Sequence, residues 1–351
     1  MDTCHAALGL DMDLLDCKYY LAQYDLVVVD EFSQLRGQDL NHIWKLMEAV
    51  DNVVAVSLLG DRFQYAGFGD ARVWQMPIWN KTHVTKLHQV YRCVDPDFQR
   101  ILTTLRTSKP TQTGARGTVS VAQIMKHRRA WRGHWPRQED VARLLTKYPH
   151  TTFLAITRRG ADYLNQSGAQ HGRFARGDLR LAVAACFAGH RPAIVLDGDL
   201  EANPENYDEN GQLKPPTGLV PLRVECYPGM KIFTTKNVDK ERDYVNGMEC
   251  VVEEYDSRCH VLLAETVTGH RLAIRPWTDV RLGNRVYNPI KPGYANTVLK
   301  MAGSELPHVV FWLDAEHVPG AAYTGMSRVR RGADLLLGGN VNPSHFTPVS
   351  A

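Results

Sequence analysis

Two carboxylates, Asp30 and Glu31, directly follow the apolar run Leu26-Val27-Val28-Val29, and Asp61 and Gln64 follow a second such run, Val53–Leu59. An acid at the carboxyl end of a strand can hold Mg2+, directly or through water, and a neighbouring acid can orient an attacking water, as nucleotide hydrolysis requires. A glutamine donates and accepts hydrogen bonds at once, so Gln64 suits a position touching both a γ-phosphate and a water. An Asp-Glu pair after a strand also makes an ordinary helix N-cap with favourable first-turn charge. Residues 25–34 taken alone fit both.

The elements that must position these groups are legible in the apolar pattern. Leu26–Val29, β-branched apart from Leu26, predicts a parallel strand buried on both faces. Leu40, Ile43, Trp44, Met47 and Val50 recur at helical spacing, which makes a βαβ crossover to the second run. Two adjacent parallel strands would then deliver Asp30-Glu31 and Asp61–Gln64 to one sheet edge, where open α/β sheets bind ligands. Phe98, Ile101, Leu102 and Leu105 predict a further helix. Thr151–Thr157 predicts a buried strand, followed by Arg158-Arg159 and a short helix containing Asp162–Asn165.

From Pro228 the period becomes two. Met230–Thr235, Tyr244–Val252, Val261–Ala264 and Arg271–Ile274 read as short strands of a small antiparallel barrel. Asn246-Gly247 predicts a tight turn within it, since both residues tolerate positive φ, and Thr268-Gly269-His270 a hairpin tip. Val309–Asp314 and Ala333–Gly339 read as core strands, and the tail from Asn340 as disordered. The fold class is α/β, with two parallel-sheet domains and the barrel inserted in the second.

The net charge of +3 is unevenly spread. Arg100–Arg180 holds 16 Lys/Arg against 4 acids, a balance of +12, which favours a polyanion partner. Asp197–Glu209 holds six acids and no base. Within the basic region, His127–Trp135 interleaves basic residues with tryptophans, which could stack bases and pair phosphates or could cap the core. Seven scattered cysteines, odd in number and without a CxxC pair, argue against a disulfide framework or a zinc site and for a reducing, intracellular compartment. No apolar run is long enough to span a bilayer.

The polar clusters carry a resemblance. Val27–Leu35 resembles motif II of superfamily-1 helicases and Gly60–Gln64 resembles motif III, in the family's order and spacing. Thr3–Leu10 is similar to the DNA-contacting motif Ib. Val84–Arg92 looks like motif IV, and Thr151–Thr157 resembles the first strand of the second RecA-like domain. Tyr294–Glu305 resembles motif V, with Leu299 and Ala302 where the family has His and Gln. Ala322–Arg331 is similar to motif VI, Y-x-A-x-S-R. The barrel with its Asn-Gly turn, just before motif V, resembles RecD-like helicases and their petite-integration-frequency relatives.

The resemblance implies two RecA-like domains of the P-loop NTPase fold, with ATP and Mg2+ bound between them. It implies a soluble, monomeric DNA helicase moving 5′ to 3′ on single-stranded DNA. Catalytic roles then fall to Asp30 (through Mg2+), Glu31, Gln64 and two γ-phosphate arginines, Arg92 and Arg328. Gly60, Asp61, Tyr91, Gly303 and Glu305 would line the ATP site. Thr3, His5, Thr157, Arg158, Asn246, Thr297 and Lys300 would contact DNA. The expected partition is 1–110 for the first domain, 111–150 a basic seam, and 151–227 the start of the second domain with an acidic loop at 197–216. The barrel would span 228–290, motifs V and VI 291–339, and the tail 340–351.

A GxxxxGK[ST] loop appears nowhere, and the strand, loop and helix that would carry it need roughly 30 residues, the size of a βαβ-type unit. The expectation is a partial chain that does not hydrolyse ATP as written. The rivals are a non-catalytic nucleic-acid-binding relative and a viral-type RNA helicase.

Overall fold

The computed structural model describes residues 4–8, 14–50, 54–66, 72–113, 119–174, 194–198, 212, 222–280 and 284–349. They fall into two compact units. The first is Met1–Pro136, Thr152–Gly160 and Asn296–Ala351; the second is Arg137–Thr151 and Ala161–Ala295.

In chain order the elements are α1 (Cys4–Leu8), α2 (Leu14–Leu21), β1 (Leu26–Val29), α3 (Gly37–Ala49), β2 (Ala55–Leu58), α4 (Pro96–Thr107) and α5 (Val121–Met125). Next come α6 (Gln138–Lys147), β3 (Thr152–Ala155), α7 (Arg158–Phe174), β4 (Ile194–Gly198), β5 (Leu222–Cys226) and β6 (Lys231–Thr234). Then follow β7 (Glu249–Asp256), β8 (Val261–Thr266), β9 (Arg271–Ile274), β10 (Trp277–Asp279), β11 (Arg285–Tyr287) and β12 (Ile290–Pro292). The last are β13 (Ala295–Thr297), β14 (Val309–Trp312), α8 (Ala321–Met326) and β15 (Leu335–Gly338).

In the first unit β1 and β2 pair in parallel, Leu26 opposite Ala55 and Val29 opposite Leu58, with α3 as the crossover. This is the predicted βαβ unit. Its helix buries Leu40, Ile43 and Leu46, the Arg36 backbone N–H donates to the Asp39 carboxylate, and Trp44 and Met47 lie at the edge of the buried stripe. The burial expected on both faces of β1 is not found. Leu26 is 56% exposed and Val28 52%, because β2 is the only sheet neighbour of β1 among the described residues. Alternate residues Val27 and Val29 face the core.

A four-stranded sheet, ordered β13-β3-β14-β15, forms the larger core. Every residue of β3 and β14 is buried, as continuous apolar runs in a parallel sheet should be, and β14 pairs in parallel with both β3 and β15. Helix α4 packs against α8. It starts on Asp95, whose carboxylate accepts from the N–H groups of Asp97 and Phe98, both at 3.1 Å, with Pro96 pre-set for the first turn.

In the second unit the expected barrel region is a five-stranded antiparallel sheet, β12-β6-β7-β8-β9. Residues 244–248 lie outside the strand, with Tyr244 bridged to Asp239 and Asn246-Gly247 forming the turn; β7 begins only at Glu249. Gly247 has φ 90° while Asn246 keeps negative φ, and the Met248 N–H donates to the Val245 carbonyl at 3.1 Å, so only the glycine uses its left-handed freedom.

Two further expectations fail. The helix after β3 is 17 residues long rather than short. Thr157 Oγ1 caps its first turn by accepting from the Gly160 N–H at 2.9 Å, and buried Asn165 ties it to the β13 entrance by accepting from the Tyr294 and Ala295 N–H groups. The tail is ordered through residue 349: Asn342 caps the turn Pro343–Phe346, and Phe346 is buried in the main core. An aromatic ring with a core to enter is reason enough for a tail to fold back. Phe346→Ala should therefore cost about 3 kcal/mol, within the range of buried Phe truncations. Urea unfolding would register it as a lower midpoint; an unchanged midpoint would mean that the ring adds nothing.

Candidate nucleotide site

The chain leaves β1 through Asp30 and Glu31, and Glu31 adopts the left-handed conformation (φ 52°, ψ 46°), a strained choice for a residue with a side chain. The Asp30 carboxylate accepts from the Glu31 N–H at 2.9 Å. The Phe32 N–H donates to the Leu59 carbonyl at 2.9 Å, and Phe32 stacks on Trp79, so the turn is pinned from below. Gly60, with φ 150°, lies against it; a Cβ there would sit 3.0 Å from the Phe32 ring. Glu31 stands at the N-cap of the turn Phe32–Gln34, but its side chain makes no cap hydrogen bond. One of its oxygens, Oε2, is buried without a hydrogen-bond partner. A buried carboxylate oxygen left this way is costly and calls for an explanation.

The groups that face Glu31 come from distant segments of the first unit. Burial raises its pKa most; the charge of Arg328 opposes this, Asp30 adds to it, Arg92 opposes it and Asp61 adds to it. Gly303 (φ 80°) lies so close that a Cβ would be 3.1 Å from Glu31 Oε1. The Gly303 carbonyl accepts from Arg92 Nη2 at 3.1 Å. Glu305 stands between Arg92 and Arg330, 3.8 Å from each.

Arg328 follows α8 and is 1% exposed. Its Nε donates to the Thr324 carbonyl at 2.8 Å, Nη1 to the Ser304 carbonyl at 3.3 Å, and Nη2 to Ser327 Oγ at 2.8 Å and Gln64 Oε1 at 3.4 Å. Burial, then the neighbouring Arg92 charge, lowers its pKa to about 10, so it stays protonated at neutral pH. Glu31, Arg92 and Arg328 thus lie near one another in the first unit, with Asp30 adjoining Glu31 and Gln64 bonded to Arg328.

Asp61 has a bracing place. Its Oδ1 accepts from Arg106 Nη2 at 2.8 Å and from the Phe63 N–H at 3.1 Å; its Oδ2 accepts from the Tyr323 hydroxyl at 2.9 Å. Arg106 also lies over the Phe63 ring. The Tyr65 N–H donates to Thr324 Oγ1 at 2.6 Å, a second tie between the Gln64 loop and α8. Burial above all, with the Asp61 charge adding to it, pushes the Tyr323 hydroxyl pKa well up. Sequence reasoning missed Arg106, Tyr323 and Thr324 as site residues. Tyr323 was visible in the motif VI pattern, whereas nothing local marks Arg106.

The remaining candidates lie elsewhere. Tyr91 is 77% exposed and its hydroxyl donates to Gln89. Thr3 lies outside the described residues, and His5 falls in α1, its side chain not among those described. Arg158 and Lys300 are exposed, Thr297 ends β13, and Asn246 sits on the turn of the second unit. The Thr157 N–H and hydroxyl both donate to the Asp314 carboxylate, which also accepts from the Ile156 N–H at 2.7 Å. Asp314 leaves no room beside it for anything larger than Gly160, where a Cβ would lie 2.2 Å away.

The Arg92 guanidinium and the Gln64 amide could donate to a polyphosphate, with the buried Arg328 charge behind them, while the uncommitted Glu31 oxygen can only accept, as from a water. The site fits Mg2+ only as a cation carried by phosphates, since no cluster of three His, Cys, Asp or Glu able to hold a metal occurs among the described residues.

Comparison with known proteins agrees on the fold. The family model of the AAA domain matches residues 2–123. Solved structures of Pif1 helicases superpose over nearly the whole chain. One, a study of DNA unwinding at forked dsDNA by two coordinating Pif1 helicases, has a TM-score of 0.66 at 14% identity, covering 98% of this chain and 79% of that one. Pif1 helicase from Candida albicans gives 0.64 at 17%, covering 99% and 82%. Bacteroides Pif1 bound to ssDNA gives 0.64 at 14%, covering 98% and 80%. No curated protein sequence matches the chain. The fold is the RecA-like P-loop NTPase fold of the Pif1 helicases, with the inserted antiparallel sheet, as the motif resemblance implied.

The raised Glu31 pKa has a definite sign in stability. The native state holds this proton at pH values where the unfolded chain has lost it. Stability from this group is therefore full below the ordinary glutamate value, about 4.3, and declines as pH rises through the raised one. Glu31→Gln removes that decline. At neutral pH the variant should be more stable than the wild type, with the gap closing towards pH ~4, the ordinary glutamate range. Denaturation midpoints across this range test it, and a Gln variant less stable at neutral pH would contradict it.

Proposed function

We propose that this chain is a superfamily-1 DNA helicase of the petite-integration-frequency type. In this reading it binds Mg-ATP at the Glu31 cluster and couples hydrolysis to 5′-to-3′ movement on single-stranded DNA and to duplex unwinding. The observation that carries the proposal is Glu31, a carboxylate with one buried, unpartnered oxygen, facing arginines from two other segments. Glu31 orients the attacking water and accepts its proton, a task its raised pKa favours. Arg92 and Arg328 balance charge that develops on the γ-phosphoryl oxygens, which a permanently charged planar fork does well. Gln64 has its carbonyl oxygen turned to Arg328 and keeps its amide N–H groups for a phosphoryl oxygen or the water. Asp30 offers the oxygen that would hold Mg2+, whose charge neutralises the phosphates when it is bound. Bacteroides Pif1 has been crystallised with ADP-AlF3 and ssDNA at a comparable fold (TM-score 0.60), which supports both ligand classes.

A second reading rests on a specific observation. The 351 residues contain no GxxxxGK[ST] loop, whose backbone N–H groups and lysine would hold the β- and γ-phosphates. Motif V also has Leu299 and Ala302 in place of polar residues. Residues 1–351 alone are therefore expected to hydrolyse ATP far below helicase rates, and a non-catalytic, nucleic-acid-binding relative is the rival.

Binding of a fluorescent, non-hydrolysable Mg-ATP analogue separates the two. The helicase reading expects measurable binding, weakened roughly tenfold or more by Arg92→Ala, the worth of a charge-assisted hydrogen bond, and unchanged by Glu31→Gln. Single-stranded DNA binding should fall steeply with salt. Retained DNA binding with no analogue binding by the wild type would establish the rival instead. Robust DNA-stimulated turnover by these residues would mean that other groups cradle the phosphates.

A further inference from the structure

The basic, tryptophan-bearing stretch before residue 136 is not used by the nucleotide site. Arg128–Ala130 runs beside β15: the Leu337 N–H donates to the Arg128 carbonyl at 2.6 Å and the Ala130 N–H to the Leu337 carbonyl at 2.8 Å. The chain then crosses the carboxyl end of the four-stranded sheet, where its Trp131 and Trp135 meet Trp312 of β14. Trp131 is buried against Gly338, where a Cβ would lie 2.1 Å from the ring. Trp312 ends β14, 6.2 Å from Trp131 at 71°, and its indole N–H donates to the His134 carbonyl at 2.9 Å. Trp135 packs edge-on against Trp312, 4.8 Å away at 69°, and is 41% exposed. The first two rings cap the core; the third is held at the surface by them.

Charge is concentrated at the same place. The Arg159 guanidinium lies 5.4 Å above the Trp135 ring. Arg158 and Arg159 open α7 just after the turn that Asp314 fixes, and Arg132 lies on the tryptophan loop; all three are exposed. Some exposed arginines elsewhere lie near carboxylates, as Arg36 does Asp39, Arg143 does Asp140 and Arg331 does Asp334, while Arg129, Arg258 and Arg275 are exposed without an ion pair to a described residue. Among the described residues no carboxylate comes within ion-pair reach of Arg132, Arg158 or Arg159. A surface indole beside unneutralised guanidinium groups matches the two recurring parts of a nucleic-acid strand, a base face and a phosphate.

We infer that Trp135 and Arg159, with Arg158 and Arg132 beside them, form a contact for single-stranded nucleic acid, Trp135 stacking a base and the arginines gripping phosphates. The inference rests on the nucleic-acid part of the proposed function and adds residues to it. A duplex does not fit, since its bases offer no free face to a surface ring.

Fluorescence anisotropy with labelled oligo(dT), oligo(U) of equal length and a blunt duplex tests this. Trp135→Leu and Arg159→Ala should each weaken oligo(dT) binding about tenfold, the scale of one lost stacking contact. Trp135→Phe should recover most of the loss. Arg159→Ala should also flatten the salt dependence by about one counterion, while Trp135→Leu leaves the slope unchanged. Oligo(dT) binding tighter than oligo(U) assigns the contact to DNA and the reverse order to RNA, the stacking role standing in both cases. Arg159 is exposed, so its variant reads the contact even if Trp135→Leu unfolds the loop. Unchanged oligonucleotide affinity in both variants, or equal losses on the duplex, would overturn the inference and leave the nucleotide site untouched. No binding of any oligonucleotide by the wild type at low salt would remove the inference and the nucleic-acid reading together.

Discussion

Arg328 is the constraint around which the first unit is assembled. A guanidinium taken out of water costs several kcal/mol unless acceptors surround it. Here they come from far apart in the chain: Gln64 after β2, Ser304 after β13, and Thr324 and Ser327 in and after α8. Each acceptor fixes a segment. The Gln64 loop is tied to α8 a second time through Tyr65 and Thr324, and a third time through Asp61 and Tyr323. Displacing any of these segments would strip a partner from a buried cation, so the site and the packing of the unit are hard to separate energetically.

Much of this was readable from sequence because it is local or ordered. Paired apolar runs ending in acids marked β1, β2 and the crossover, and the motif resemblance named Glu31, Gln64, Arg92 and Arg328 as one set. What escaped depends on neighbours that no local pattern encodes. Leu26 and Val28 have the composition of a doubly buried strand, yet burial needs a second neighbour, and composition cannot report whether one is present. Arg106 looks like any basic residue in the last turn of α4, and only the fold places Asp61 2.8 Å away. Phe346 sits in a polar, Pro-containing tail whose average character outweighed its one core residue. Helix α7 carries glycines that argue for a short helix, and it persists because its start is capped by Thr157 and its middle is pinned by Asn165.

Glu31 combines two unfavourable features, a left-handed backbone and a buried, unpartnered oxygen. Each costs on the order of 1 kcal/mol or more, and neither contributes to the fold. Of its neighbours, Asp61 has both oxygens engaged, whereas Ser33 Oγ and Arg106 Nε are also buried without a hydrogen-bond partner. In the proposed function the buried Glu31 oxygen is the one that would meet the attacking water.

The segment from Asp314 to Arg328 gives the unit a further property. At its start, Asp314 fixes the Thr157 turn and so the root of the Arg158-Arg159 pair. At its end it delivers Tyr323, Thr324 and Arg328 to the Glu31 cluster. Between them Gly320 backs directly onto the Gln64 backbone, where a Cβ would lie 2.9 Å away. A short stretch that follows β14, exposed at Glu316 and His317, thus anchors a basic surface turn at one end and the buried Arg328 at the other. Packing this close transmits displacement rather than absorbing it. Proximity alone does not establish coupling, which requires two arrangements of this segment that each ligand weights differently. Such arrangements would have to differ where the segment is packed tightest: at the Asp314 turn, at the Gly320 contact and at Gly325, where a Cβ would lie 2.4 Å from the Phe311 ring.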